Sequence, residues 1–296
     1  MQNIKTAIKT SLRKVLPSKV FGSSYVLYQK AFGNPEHSEY IEGMSKFTNA
    51  GFYDFSLDDT QFKIFLDPEN GCVDANIFLE GSFEPGILRF IKSELTKDDI
   101  FYDIGANISQ HSLYTSFHCG QVYAFEPILD LYEQSKKSIE INNIKNIEIF
   151  NFGLGNENSQ VQIYSNKENM GGSSILISEN RKKGKKIEIK KLDEVFEVYK
   201  IQAPNFVKID VEGYEHEVLL GAKDLFTKFK PKIIIEFTPL FYNKIDKDLS
   251  QKIYNLFLEM GYKIYDIGLD GEKKVEINNF ADLDYIKDSQ TNLFLS

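Results

Sequence analysis

The sequence predicts an α/β fold in which a mostly parallel sheet is covered by helices on both faces. Three observations predict it. Strand-type runs alternate with helix-type runs through most of residues 99–267, the pattern of repeated βαβ units. A polar residue closes or follows each of five apolar strands, at Asp103, Glu126, Asn151, Asp210 and Glu236, and in such sheets ligands bind beyond the carboxyl ends of the strands. Finally, "DDIFYDIGANIS" runs a strand into a glycine turn and a helix, and "VYAFEP" ends the next strand on a carboxylate. Together these make the first half of a nucleotide-binding unit.

The elements follow in order. Residues 1–80 read as an extension and 81–296 as the main domain. In the extension, Lys5, Lys9, Arg13, Lys14 and Lys19 interleave with Ile4, Ile8, Leu12, Val15 and Leu16 at helical spacing. This is a basic amphipathic helix, suited first to packing on the domain or a second subunit and second to a weak anchor on an anionic membrane surface. Residues 47–67 read as two strands around the polar Asp58–Thr60, and 68–71 as a turn. A helix is expected over 84–95 with Pro85 at its first position. Strands follow near 100–104, 122–125, 147–152, 161–164, 175–177, 187–189, 206–209, 233–237, 262–267 and 293–295. Helices are expected over 109–117, 128–142, 213–229 and 249–260.

Composition bounds the function. The chain has 296 residues, 42% hydrophobic and 26% charged, enough for a sizeable core. The net charge of -8 argues against nucleic acid as a partner, since such proteins carry a basic footprint. Two cysteines, Cys72 and Cys119, make neither a disulfide framework nor a metal cluster, which suits a cytoplasmic setting. There is no apolar run of about 18 residues to span a membrane and no secretory h-region.

The glycine turn discriminates among ligands. A dinucleotide fingerprint needs further glycines where this chain has Asn107 and Gln110, so a pyrophosphate would meet side chains. S-adenosylmethionine carries no phosphate and asks for one close backbone approach plus polar groups, which Asp103, Gly105, Ala106 and Asn107 offer. Glu126 can accept hydrogen bonds from a ribose diol. A strand-to-helix turn without a ligand stands beside this reading. His111 reads first as a helix histidine bonded to backbone or solvent and second as a group reaching the pocket.

The second informative segment is "NFVKIDVEGYEHEVLLGA" followed by "KPKIIIEFTP". Gly213 breaks the chain between strand and helix, so Asp210 and Glu212 should face the mouth of the site. Glu215 and Glu217 suit the first turn of a helix electrostatically. Like charges crowded in a cleft raise a carboxyl pKa and can yield a general base, making Asp210, Glu212, His216 and Glu236 the catalytic candidates. A divalent-metal site at Asp210, Glu212 and Glu236 is a minor alternative. The loop "SNKENMGGSS" over 165–174 is a candidate lid, or a plain hairpin.

"YDIGANIS", "AFEP", "MGGSSI", "KKLDEVF", "VKIDVEGYEHEVLLGA" and "PKIIIEF" resemble, in order and spacing, the FkbM-type S-adenosylmethionine-dependent methyltransferases over about residues 80–267. The resemblance implies a class I methyltransferase (Rossmann-like) fold, S-adenosylmethionine as cofactor, and O-methylation of a hydroxyl on a sugar or glycoconjugate precursor in polysaccharide biosynthesis. A non-sugar secondary metabolite as acceptor, or an inactive binding protein of the same fold, are the alternatives. By position, Asp103, Gly105 and Asn107 would line the methionine end, Glu126 would hold the ribose, and Asp210 and Glu212 would edge the acceptor pocket. Ala106, Ser109, Pro127 and Asn151 complete the cofactor-side candidates. Ser109 stands where the family usually has glycine. The expected partner is a small-molecule or glycan acceptor, and a homo-oligomer is left open.

Overall fold

The computed structural model describes residues 49–67, 72–166, 169–174 and 185–296. The basic segment over 4–19, the turn over 68–71, the strand over 175–177 and part of the loop expected as a lid lie outside the described residues. Strands β1 (Gly51–Leu57) and β2 (Thr60–Leu66) form an antiparallel hairpin turned at Asp58, which takes a left-handed φ of 53°. Helices α1 (Cys72–Glu80) and α2 (Pro85–Glu94) lead to β3 (Ile100–Ile104), α3 (Gln110–Ser116), β4 (Gln121–Phe125), α4 (Leu129–Ile141) and β5 (Ile147–Phe150). Then come β6 (Gly153–Leu154), β7 (Ser159–Asn166), β8 (Asn169–Ser174), β9 (Lys185–Lys190), α5 (Leu192–Tyr199) and β10 (Phe206–Ile209). The chain ends with α6 (Glu215–Gly221), α7 (Lys223–Phe229), β11 (Lys232–Phe237), α8 (Pro239–Ile245), α9 (Leu249–Glu259), β12 (Ile264–Asp266), β13 (Val275–Ile277), a 3-10 turn (Phe280–Ile286) and β14 (Thr291–Leu295).

Eight strands form the main sheet in the order β13-β12-β14-β11-β10-β3-β4-β5. The run from β11 to β5 is parallel, and β14 enters antiparallel between β11 and β12. This is the mostly parallel, doubly covered sheet of the class I methyltransferase fold. From β3 the chain proceeds outward through β4 and β5, then returns to the other side of β3 at β10. The order reverses between β3 and β10, and a crevice opens at such a switch point.

Alternation along the strands divides the core. Tyr102, Ile104, Val207, Ile209, Ile233 and Ile235 pack with α5, α6, α7 and α9. Phe101, Val122, Phe206 and Ile234 pack with Ile87 and Ile91 of α2 on the other face. A second cluster ties Phe55, Phe62, Ile64 and Leu66 of the hairpin to Leu113 and Tyr114 of α3 and Leu131 of α4, so residues 51–66 share a core with two helices of the main domain. The smaller sheet, β6-β9-β7-β8, sits beside the carboxyl end of β5. Among the described residues no helix is long and apolar enough to cross a membrane.

Several elements differ from the sequence expectation, among them α1, α5 and β8, which were not expected. The helix expected over 213–229 is two helices, parted at Ala222, whose φ of -114° leaves the helical range. The strand expected over 147–152 stops at Phe150. Helix α8 starts at Pro239, a residue that suits a first helical turn.

Candidate active site

The strand register builds the site. Lys208 of β10 sits directly beside Asp103 of β3 on the sheet face covered by α2 and α3. Both side chains are buried in an otherwise apolar layer, where an unpaired charge would be very costly. Lys208 Nζ donates to Asp210 Oδ2 at 2.8 Å, and Ser112 Oγ of α3 donates to Asp103 Oδ2 at 2.5 Å. Burial disfavours the Lys208 ammonium, but Asp210, Glu84 and Asp103 outweigh it and hold its pKa above the ordinary lysine value.

After β3 the backbone winds through alternating left-handed residues, Gly105 (φ 85°), Asn107 (φ 53°) and Ser109 (φ 61°). A Cβ on Gly105 would lie 1.8 Å from the Asp210 carbonyl oxygen, so only glycine lets the two strand ends meet. The Gly105 and Ala106 N–H groups both donate to the Phe125 carbonyl at the end of β4. Glu126 follows. Its Oε2 accepts from the Asn107 N–H and its Oε1 from the Ile128 N–H, each at 2.8 Å. Burial raises its pKa to about 8 in spite of these bonds.

One cavity gathers these ends, enclosing about 1150 Å³ including its open mouth. Gly105, Ala106, Asn107, Glu126, Pro127, Asp210, Glu212 and Glu236 all line it. Ile128, Leu154, Ile163, Ile187 and Ile189 give one end an apolar wall. Glu212 is held at a left-handed φ of 54°, a conformation costing on the order of 1–3 kcal/mol that is typical of functional turns. Glu236 is half-buried, and burial together with Asp210, Glu215 and Glu212 holds its pKa well above the carboxylate range.

Four expected site residues are placed elsewhere. Asp103 is buried against Ser112 and does not line the cavity. Ser109 is fully buried, caps nothing with its side chain, and donates to Ser135 Oγ at 2.8 Å. Asn151 turns back to donate to the Glu126 and Pro127 carbonyls at 3.0 and 3.2 Å, bracing the β4 end rather than lining the cavity. His216 lies on α6 against Glu217 Oε1, 3.1 Å from Nδ1, and away from the cavity. Its neighbour Glu215, not predicted to face inward, is buried and accepts the Val211 and Gly213 N–H bonds on one oxygen, bracing the turn that carries Glu212.

Sequence reasoning missed Lys208 and Glu84 as wall residues and ranked His111 as bonded elsewhere, yet all three line the cavity. The signal for Lys208 was a lysine within "FVKID", a charge in a buried strand two residues before a carboxylate. Gln110 clamps the Phe83 backbone, accepting from its N–H at 2.8 Å and donating to its carbonyl at 2.7 Å, and so holds Glu84 over the cavity. Among the described residues no group of three or more His, Cys, Asp or Glu side chains is arranged to hold a metal ion.

The chain is similar to known methyltransferases. The model of the methyltransferase FkbM domain matches residues 103–264, more than half of the chain. The hexuronic acid methyltransferase AglP of Haloferax volcanii is 29% identical over 138 residues, covering 47% of this chain and 56% of that protein. Methyltransferase 1 of Beauveria bassiana is 25% identical over 161 residues, covering 47% and 64%. The chain thus spans less than two thirds of the length of either relative. The crystal structure of methyltransferase FkbM from Methylobacillus flagellatus KT aligns at 18% identity with a TM-score of 0.46, covering 75% of this chain and 52% of that one.

Proposed function

We propose that this chain, which belongs to the FkbM methyltransferase family and uses S-adenosylmethionine, methylates a hydroxyl of a sugar or glycoconjugate precursor. The observation that carries this reading is the shared cavity. The glycine turn and Glu126 form one side of it, and Asp210, Glu212 and Glu236 form the other. The residues fit the cofactor. Gly105 lets the ends of β3 and β10 meet at the cavity wall. Glu126 oxygens each retain a lone pair beyond their backbone bonds, and the isoleucine-lined end suits a flat purine.

The cofactor supplies a methyl group already activated by its sulfonium. What is left to the chain is to align the acceptor oxygen, exclude water and take up a proton. Glu236, held protonated, donates a hydrogen bond to an acceptor oxygen. Asp210 or Glu212 accepts the hydroxyl proton. Carboxyl groups of both kinds suit a polyol, whose hydroxyls donate and accept. The name of the Haloferax relative also supports a sugar acceptor.

The test is transfer of labelled methyl from S-adenosylmethionine to a panel of neutral and uronic sugars and their nucleotide conjugates. An alkali-stable ether on a sugar is expected. Label only in an alkali-labile ester, or in no sugar at all, would overturn the reading.

A further inference from the structure

Glu84 occupies the N-cap position of α2 but does no capping. Its φ of 48° is left-handed and its side chain makes no cap hydrogen bond. The Gln110 clamp on Phe83 instead turns Glu84 toward the cavity, where its side chain stays 20% exposed. Glu84 Oε2 lies 3.4 Å from His111 Nε2 on α3, whose side chain is only 9% exposed. Glu84 Oε2, His111 Nε2 and Asn107 Oδ1 are buried atoms on the wall of this one cavity, and none has a hydrogen-bond partner within the protein.

All three can accept. Burial and the nearby Lys208 push the His111 pKa well below its ordinary value, so the imidazole is neutral and carries a lone pair. Burial, with Asp210 and Asp103 adding to it and Lys208 opposing, brings Glu84 to about 7, where a bound cation would ionise it. Lys208 is already committed to Asp210. The wall therefore carries surplus acceptors and surplus negative charge. A primary alkylammonium has three N–H donors and one positive charge, which matches both. A ligand carboxylate would meet Glu84 with like charge.

We propose that Glu84, with His111 and Asn107 beside it, forms the subsite for the α-ammonium group of S-adenosylmethionine. The assignment rests on the reading that this cavity holds the cofactor, and binding alone tests it, whatever the acceptor proves to be.

Calorimetry on the full chain compares three ligands: S-adenosylhomocysteine, its deaminated analogue, and 5′-methylthioadenosine, which lacks the amino-acid end. Glu84→Gln should weaken S-adenosylhomocysteine at least tenfold, leave 5′-methylthioadenosine within twofold, and leave the deaminated analogue nearly unchanged. His111→Asn should show the same pattern at smaller amplitude, and it decides the matter if Glu84→Gln fails to fold. Equal weakening of all three ligands, or unchanged S-adenosylhomocysteine affinity, would overturn the proposal. A fall in turnover with unchanged affinity would do the same, moving Glu84 to the acceptor side.

Discussion

The two sides of the cavity are built on different principles. On the β3–β4 side, Glu126 is locked by two backbone amides and Asn151 braces the carbonyls beside it. Gly105 meets the Asp210 carbonyl with no room for a methyl group. On the β10–β11 side, Asp210, Glu212, Glu215 and Glu236 press against one another, with Lys208 as the neighbouring cation. Hydrogen bonds fix positions on the first side, whereas on the second neighbouring carboxylates add to burial in raising the proton affinity of Glu236. A rigid side suits a ligand that must be held the same way in every turnover. A side with shifted proton affinities suits a proton that must move.

The largest expected effect lies on the charged side. Asp210→Asn should lower turnover by about 10²–10⁴ while leaving S-adenosylhomocysteine affinity nearly intact. Glu212→Gln is the companion. Wild-type rates for both amides would remove the base from this side. On the rigid side, Gly105→Ala forces a left-handed alanine against backbone and should cost on the order of 3 kcal/mol in denaturant unfolding. Unchanged stability would show that the strand ends can part.

The third effect is a pH dependence. Burial raises Glu126 to about 8 and Glu215 to about 7, against about 4.3 in an unfolded chain. The folded state therefore holds these protons more tightly. Their stabilisation is full below about pH 4.3 and is lost as pH rises through 7 to 8. Glu215 takes both amide protons on a single oxygen, so Glu215→Gln keeps those bonds and never ionises. Its Tm should match wild type near pH 5 and exceed it at about pH 8. A Tm difference that does not change with pH would contradict the raised proton affinity.

The smallest effect concerns Ser109. Its left-handed backbone costs about 1–2 kcal/mol, offset by its bond to Ser135 at about 0.5–1.5 kcal/mol. Ser109→Gly should therefore change stability by less than about 1 kcal/mol, since relief of strain is met by loss of the bond and by chain entropy. Ser135→Ala should cost measurably in wild type and much less in the Ser109→Gly background.

The sheet was legible because buried strands write themselves as apolar runs closed by polar residues, as at Phe125–Glu126 and Ile209–Asp210. The break at Ala222 was marked only by Gly221 in "LLGAKDLF", and an isolated glycine inside a helical pattern is tolerated. Site residues were legible by type and strand end but not by direction. Asn151, Ser109 and His216 are polar and correctly located along the chain, yet tertiary hydrogen bonds turn the first two away and His216 pairs with its neighbour Glu217. Glu84 was hidden for the opposite reason. It reads as the start of a helix, and the Gln110 clamp that aims it inward joins segments 27 residues apart.

The most direct test of the division between the two sides is titration of S-adenosylhomocysteine into Glu126→Ala. This substitution removes a carboxyl partner of the ligand and loosens the Asn107 amide, hydrogen bonds worth about 0.5–1.5 kcal/mol each. Affinity at least tenfold weaker than wild type, in a protein that remains folded by circular dichroism, is the predicted result. Unchanged affinity in the folded variant would contradict a cofactor held on the β3–β4 side.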